Sequence, residues 1–214
     1  MVCVYLFDMD GTIVDNMSVH LNIWIEFMAS LGVHLPPAQM ERSTIGKINA
    51  EIFRELLDPS LSDAQVLDLS RRKEALYRER FKPLLKETPG LTAFLRQARA
   101  GGKKLAVATA ANRDNTDFVL EGLGIAAYFD ALVTSEDITR GKPDPEVFLT
   151  AAARLGVAAR DCLVFEDSPA GLEAAYRAGM PAVALHTTFP ESQLVNLPGV
   201  LRVISDFNAV MPAI

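Results

Sequence analysis

After Pro83 the chain alternates between short apolar runs and amphipathic stretches, and that alternation constrains the fold more than any other feature. Strands are expected at Lys104–Thr109, Ala131–Thr134, Cys162–Phe165 and Ala182–Leu185. Helices are expected over Leu91–Ala100, Thr116–Gly122, Pro145–Leu155 and Ala170–Ala178. Such repetition predicts a mostly parallel sheet covered by helices on both faces. The run from Val2 to Phe7 belongs to the same sheet by type, although residues 17–82 intervene. That block reads as helices alone. Met17, Leu21, Trp24, Met28 and Leu31 form one helical stripe stopped at Gly32, and a break follows at Leu35-Pro36-Pro37. Ile52, Phe53, Leu56 and Leu57 mark a second helix, and Ser62-Asp63 is an N-cap signal for a long third one reaching Phe81. The expected fold class is therefore α/β: a Rossmann-like, mostly parallel sheet core from residues 1–14 and 84–214, carrying an all-helical insertion over 15–83.

A chain of 214 residues, half of them hydrophobic, has enough apolar material for such a core and a modest insertion. Its formal charge of −6 and pI near 5.1 argue against a nucleic-acid or anionic-membrane partner, while local basic residues can still hold a small anion. Cys3 and Cys162 sit in apolar runs and are expected to be small core hydrophobes, with neither disulfide framework nor thiolate metal spacing. The first apolar run is cut off by Asp8 and no stretch of about 18 apolar residues occurs, so neither a signal peptide nor a membrane span is expected. A cytoplasmic monomer is the expectation.

Ligands of open parallel sheets bind outside the carboxyl ends of the strands. Those ends carry a coherent set of polar residues. The first run ends in Asp8-Met9-Asp10-Gly11-Thr12, and the second ends in Thr109. After the third comes Arg140-Gly141-Lys142-Pro143, and the fourth ends in Glu166-Asp167-Ser168-Pro169. A turn would explain the first segment alone, since Asp and Gly are ordinary turn residues. Four carboxylates converging on one mouth repel one another unless a cation neutralises them, and a hard divalent ion with oxygen ligands, Mg²⁺, suits the task. Lys142 adds a second positive charge. A carboxylate can also accept a phosphoryl group as nucleophile while a second acid protonates the leaving oxygen, so the set points to phosphoryl transfer.

The segments FDMDGT, VATA, GKPDP and VFEDSPAG resemble, in order and spacing, the four motifs of the haloacid dehalogenase superfamily. The helical block after the first motif resembles the C1-type cap of that superfamily. The resemblance implies Asp8 as nucleophile and magnesium ligand. It implies Asp10 as general acid/base, giving the metal its main-chain carbonyl. Thr109 would bind the transferring phosphoryl group, Lys142 would steady nucleophile and phosphate, and Asp167 would bind the metal, with Glu166 assisting. An acid at the second position favours phosphate esters over haloacids. His20 is spaced from Asp8 as in the β-phosphoglucomutase-like subgroup, and Lys73 resembles a cap lysine of that subgroup. Lys47 and Asn49 fall in a segment resembling the specificity loop of the cap. With Ala110, Asn112 and Arg113 they complete the expected substrate-binding set.

Three departures bear on the reaction. β-Phosphoglucomutases carry arginine where this chain has Asn49, serine where it has Ala111 and asparagine where it has Arg113. A mutase must retain and reorient a doubly phosphorylated sugar, so loss of those anion contacts favours a phosphatase acting on a small phosphorylated metabolite, with sugar phosphates the leading class by resemblance. The alternatives are a phosphosugar mutase, more distantly a phosphonatase, and a catalytically silent binding protein on the same fold. The last could dispense with Asp8, Asp10, Lys142 or Asp167, and all four are present. Hinges of the insertion are expected near Val14–Asn16 and Pro83–Leu85.

Overall fold

The computed structural model describes residues 2–210. Its frame is a six-stranded sheet of β1 (Val4–Phe7), β2 (Lys104–Ala108), β3 (Ala131–Val133), β4 (Cys162–Glu166), β5 (Ala182–Leu185) and β6 (Val200–Ile204). The strand order is β3-β2-β1-β4-β5-β6 and every pairing is parallel. Continuous apolar runs suit strands buried on both faces, and all four residues of β1 are buried. Alternate side chains divide between the faces. Tyr5 and Phe7 join a core with Phe94, Phe165 and Phe207, and Phe7 stacks on Phe165 with centroids 4.9 Å apart. Val4 and Leu6 point into the opposite core, with Phe148, Ala151 and Leu172.

The helices follow from these two cores. Of α5 (Leu91–Ala100) and α6 (Arg113–Gly122), residues Phe94, Leu95, Val119 and Leu120 cover the first face. Of α7 (Glu146–Leu155) and α8 (Pro169–Arg177), residues Val147, Phe148, Leu172 and Ala175 cover the second. The strand order reverses at β1, which lies between β2 and β4 with Phe7 level with Val107 and Phe165. That register brings the residues after these three strands to one point at the switch of the sheet, where such folds bind ligands.

Between β1 and α5 lie α1 (Met17–Ser30), α2 (Pro37–Thr44), α3 (Asn49–Leu56) and α4 (Asp63–Phe81). They bury a separate apolar cluster that includes Trp24, Met28, Met40, Ile52 and Phe53. Ser62 caps α4 by accepting from the Gln65 N–H, and Gln65 returns to the Ser62 N–H as a capping box. Tyr77, Phe81 and Ile23 depart from this cluster and pack into the core beneath the sheet, so one side of α1 and α4 is anchored on the α/β frame.

The structure differs from the sequence reading at several edges. The helix after β2 begins at Arg113 rather than Thr116, because the Asn112 side chain accepts from the Asn115 N–H and caps it. A short helix, α2, follows the Leu35-Pro36-Pro37 break, with Pro37 at its first position, where its missing N–H costs nothing. The sixth strand was not expected: it is an edge strand whose Leu201 and Arg202 are exposed, so it lacks the continuous apolar run of its neighbours. Cys162 is buried as expected, but Cys3 lies just ahead of β1 and is exposed. Among the described residues no helix is long and apolar enough to cross a membrane.

Candidate active site

Asp8 follows β1 directly, its N–H bonded to the Phe165 carbonyl at 3.0 Å. The Lys142 ammonium donates to Asp8 Oδ1 at 2.6 Å and to Glu166 Oε2 at 2.7 Å, and lies 5.1 Å from the centre of the Phe148 ring. The backbone at this lysine and at the residue before it is tied to the helical insertion. Lys142 N–H donates to the Gly46 carbonyl at 2.9 Å, and Gly141 N–H to Glu51 Oε1 at 3.0 Å. Glu166 is saturated: its Oε1 accepts from the Asp167 and Ser168 N–H groups and from the Ser168 hydroxyl. Ser168 also caps α8 through the Gly171 N–H. A Cβ at residue 171 would stand 2.0 Å from Glu166 Cδ, so the first turn of that helix admits only glycine there.

Asp167 completes the cluster. Its Oδ1 accepts from the Thr12 hydroxyl at 3.4 Å, while Oδ2 is buried without a partner. Gly11 has φ +85°, and a Cβ on it would lie 2.1 Å from that Oδ2. The Gly-Thr following Asp10 thus has a physical purpose: glycine allows the close approach and threonine holds the carboxylate. Asp8, Glu166 and Asp167 each offer an oxygen within 4.8 Å of the others, all buried. Burial drives the Asp8 carboxyl up to about 7, with Lys142 opposing and Glu166 reinforcing. Burial, then Glu166 and Asp8, push Asp167 well above the usual carboxylate range. Burial would also raise Glu166, but Lys142 and the Ser168 donors outweigh it and hold that group low. Burial would lower Lys142, but Asp8 and Glu166 more than offset it, so this ammonium is held charged. An oxygen-only donor set with one orphaned buried oxygen fits a hard divalent cation.

A second set of polar groups runs from Asp10 into the insertion. Asn16 Nδ2 donates to Asp10 Oδ1 and to the Tyr77 hydroxyl, both at 2.6 Å. His20 Nε2 lies 3.5 Å from the same Asp10 oxygen, and its ring stacks on Tyr77 at 4.0 Å. Lys73 Nζ lies 3.3 Å from His20 Nδ1; with the ammonium donating, Nδ1 is the acceptor and Nε2 carries the proton towards Asp10. Lys73 also pairs with Glu74 Oε1 at 2.9 Å and sits 4.4 Å from the Trp24 ring. Glu74 further accepts from Asn49 Nδ2 at 2.8 Å and from Asn115 Nδ2 at 2.7 Å, which joins α4 to α6. Burial would raise Asp10, but His20, Asn16 and Lys73 prevail and hold it below the usual carboxylate range.

A cavity of about 290 Å³ separates the sheet mouth from the insertion. Asp8, Asp10, Thr109, Lys142, Glu166 and Asp167 line one side, and His20, Lys47, Asn49 and Lys73 the other. Ala110 and Ala111 lie at its edge, and the Thr109 hydroxyl accepts from the Ala111 N–H at 3.0 Å. Asn112 and Arg113 lie outside it. The Asn112 side chain is committed to capping α6, and Arg113 faces solvent with its guanidinium 2.8 Å from Asp117. Lys47 is paired with Glu55 at 2.5 Å. Sequence reasoning missed Asn16, Glu74, Tyr77 and Asn115. It also missed Thr187 and Thr188, which line the cavity after β5. The Thr187 hydroxyl donates to the Gly11 carbonyl, and Thr188 Oγ1 is buried without a partner. The strand-end rule applied to β5 would have found both threonines.

The comparisons with known proteins agree with this geometry. The model of the haloacid dehalogenase-like hydrolases matches residues 5–185. This chain belongs to that family. It is 31% identical to the validoxylamine A 7′-phosphate phosphatase of Streptomyces hygroscopicus subsp. limoneus, over 95% of this chain and 94% of that one. It is also 31% identical to the fructose-1-phosphate phosphatase of Escherichia coli (strain K12), over 83% of this chain and 93% of the relative. The β-phosphoglucomutase structure from Clostridium difficile superposes with a TM-score of 0.84 at 24% identity, covering 98% of this chain and 93% of that one. At that identity the likeness speaks for the fold. Among the enzymes, the chain stands with the phosphoric monoester hydrolases of the family.

Proposed function

We propose that this protein is a magnesium-dependent phosphatase of a small phosphorylated metabolite, a sugar phosphate or close analogue, working through an aspartyl-phosphate on Asp8. The observation that carries the reading is the Lys142 ammonium shared by Asp8 and Glu166, beside the unpartnered buried oxygen of Asp167. The relatives with phosphatase names, one acting on a sugar phosphate, support the same class. A cavity of about 290 Å³ is at the small end for small-molecule sites, roughly 300–1,000 Å³.

Asp8, Asp167 and the main-chain carbonyl of Asp10 would hold the metal, with Glu166 orienting Lys142 from behind. Bound there, Mg²⁺ would supply positive charge for the phosphoryl oxygens and lower the repulsion among the carboxylates. Asp8 attacks phosphorus as the bond to the leaving oxygen breaks, and Lys142 and the Thr109 hydroxyl stabilise the transferring group. Asp10 gives the leaving oxygen its proton. It then takes a proton from the water that attacks the aspartyl-phosphate, returning Asp8 and releasing phosphate. Asp10 is held ionised in the substrate-free protein, ready as the base of the second step. The negative charge of an arriving phosphate would raise its pKa and favour the proton needed in the first. His20 and Asn16 fix its orientation from the insertion.

The insertion, residues 15–83, would act as a cap that closes the cavity against water, hinged near Val14–Asn16 and Pro83–Leu85. Hydrolysis is favoured over phosphosugar isomerisation because Asn49 is engaged by Glu74 and Arg113 by Asp117, which leaves neither facing a second phosphate. The test is phosphate release from aryl phosphate and a panel of phosphorylated metabolites, including β-glucose 1-phosphate with its bisphosphate activator. Turnover is expected with Mg²⁺ and not with EDTA, and Asp8→Asn should lose at least about a thousand-fold in kcat while remaining folded. Retention of a tenth of the activity in that variant would remove Asp8 as nucleophile, and isomerisation without hydrolysis would make the enzyme a mutase.

A further inference from the structure

The cavity is not symmetric in charge. Its sheet side holds Lys142 and the cation-binding carboxylates, which suits a phosphoryl group. The leaving group must therefore lie against the insertion side, and three acids line that side: Asp15, Glu41 and Glu74. Two lysines line it as well, but both are already engaged, Lys73 with Glu74 at 2.9 Å and Lys47 with Glu55 at 2.5 Å. Arg140, two residues before Lys142, pairs with Asp144, Arg113 is turned to Asp117, and none of the lining residues is an arginine. Asp15 and Glu41 have neither an ion-pair nor a side-chain hydrogen-bond partner among the described residues. The insertion side thus presents two unneutralised carboxylates and no uncommitted cation.

The geometry points to a leaving-group subsite that selects by charge, with Asp15 and Glu41 as its specificity-determining residues. Given the phosphatase reading on which this rests, the substrate is a phosphate ester of a polyol whose remaining groups are hydroxyls or amines, and esters carrying a second anion are rejected. Carboxylates accept hydrogen bonds from hydroxyls and stronger ones from ammonium groups, so those leaving groups are held. A carboxylate or second phosphate meets like charge from the exposed Asp15 and the half-buried Glu41 at the rim of the cavity, and this repulsion is the rejecting half of the specificity. The preference runs from ammonium-bearing through neutral to anionic esters.

Three esters with the same six-carbon skeleton and the phosphate on the same carbon test the order: glucosamine 6-phosphate, glucose 6-phosphate and 6-phosphogluconate. Equilibrium binding is measured by calorimetry on Asp8→Asn with Mg²⁺, and kcat/KM on the wild type. The neutral ester should be favoured over the anionic one by about tenfold or more in both readouts, and the amino ester at least equally. Asp15→Asn combined with Glu41→Gln should shrink that ratio to within about threefold, an internal ratio insensitive to the fraction of folded protein. Equal affinity for all three, a ratio unchanged in the double variant, or preference for the anionic ester would overturn the proposal; the last would mean that Lys47 leaves Glu55 for the substrate. Absence of turnover with an intact binding order would instead sink the phosphatase reading and leave the charge selection standing.

Discussion

Asp8 and Asp10 are two residues apart on one loop, yet they belong to regions with opposite electrostatics. Around Asp8 three carboxylates are buried together while the ammonium of Lys142 bonds only two of them, Asp8 and Glu166, and the result is strain: Asp8 near 7, Asp167 well above the usual range, one oxygen unpartnered. Around Asp10 donors alternate with acids, from Asn16 and His20 to Lys73, Asn49 and Asn115 around Glu74, and both Asp10 and Glu74 are held below the usual carboxylate range against the pull of burial. The Asp10 side chain is somewhat more exposed than that of Asp8, 18% against 8%, yet both are largely withdrawn from water. The lesson is that burial alone does not decide a carboxylate's state; the count of donors facing it does. The sheet end is short of positive charge, which the proposed cation would supply. The insertion side of Asp10 is well supplied with donors, with Asn16 Oδ1 and His20 Nε2 short of a hydrogen-bond partner, and suits the orienting of a proton donor.

The comparison can be broken at either end. After the loss expected of Asp8→Asn, the largest effect is expected at Asp10. Asp10→Asn should slow esters with poor leaving groups by roughly a hundred-fold or more, and aryl phosphates far less, because only the former need the proton. Equal losses on both in steady-state assays would reduce Asp10 to a structural residue. Next comes pH. Asp8 must lose its proton to bind Mg²⁺, so affinity measured by calorimetry should fall by up to about tenfold per pH unit below about 7, with proton release detectable in buffers of different ionisation enthalpy. A flat profile from pH 6 to 8 would contradict the crowded-carboxylate picture. The same raised pKa has a sign for stability: in metal-free protein its contribution is fully present below the unfolded value near 3.8 and is lost as pH rises through about 7. The smallest effect is at Asp167. Asp167→Asn removes a strained charge, so metal-free protein should melt higher by about 2–4 °C for each kcal/mol of repulsion relieved, while Mg²⁺ no longer raises the melting point. A lower melting point without metal would show that the Asp167 carboxylate is satisfied after all.

Much of the strand-end region was legible because it depends on backbone register. A parallel sheet read with its ligands at the carboxyl ends puts Asp8, Thr109 and Glu166-Asp167 on one rim, and the observed adjacency of β1, β2 and β4 brings them together. The insertion was legible only as helices. That Glu74 would turn inward on a helix crowded with charges, and that Tyr77 would pair with Asn16, are facts of how α4 packs and have no local signature. Asn112 and Arg113 show the opposite failure. They stand where a motif suggested substrate contact, yet a helix N-cap and an i,i+4 ion pair claim both side chains locally. Asn before an amphipathic stretch was a readable signal. The edge strand β6 escaped because exposure on its outer side erases the apolar run by which buried strands are recognised.

The backbone bonds from Lys142 to Gly46 and from Gly141 to Glu51 have a mechanical consequence. The loop that carries the ammonium is fastened to the helical insertion as well as to the frame, where Glu146 of α7 accepts from the Thr139 and Arg140 N–H groups and Asp8 and Glu166 hold the lysine itself. A displacement of the insertion away from the sheet would have to part these two fastenings, so the position of the insertion and the backbone of the lysine loop are mechanically coupled.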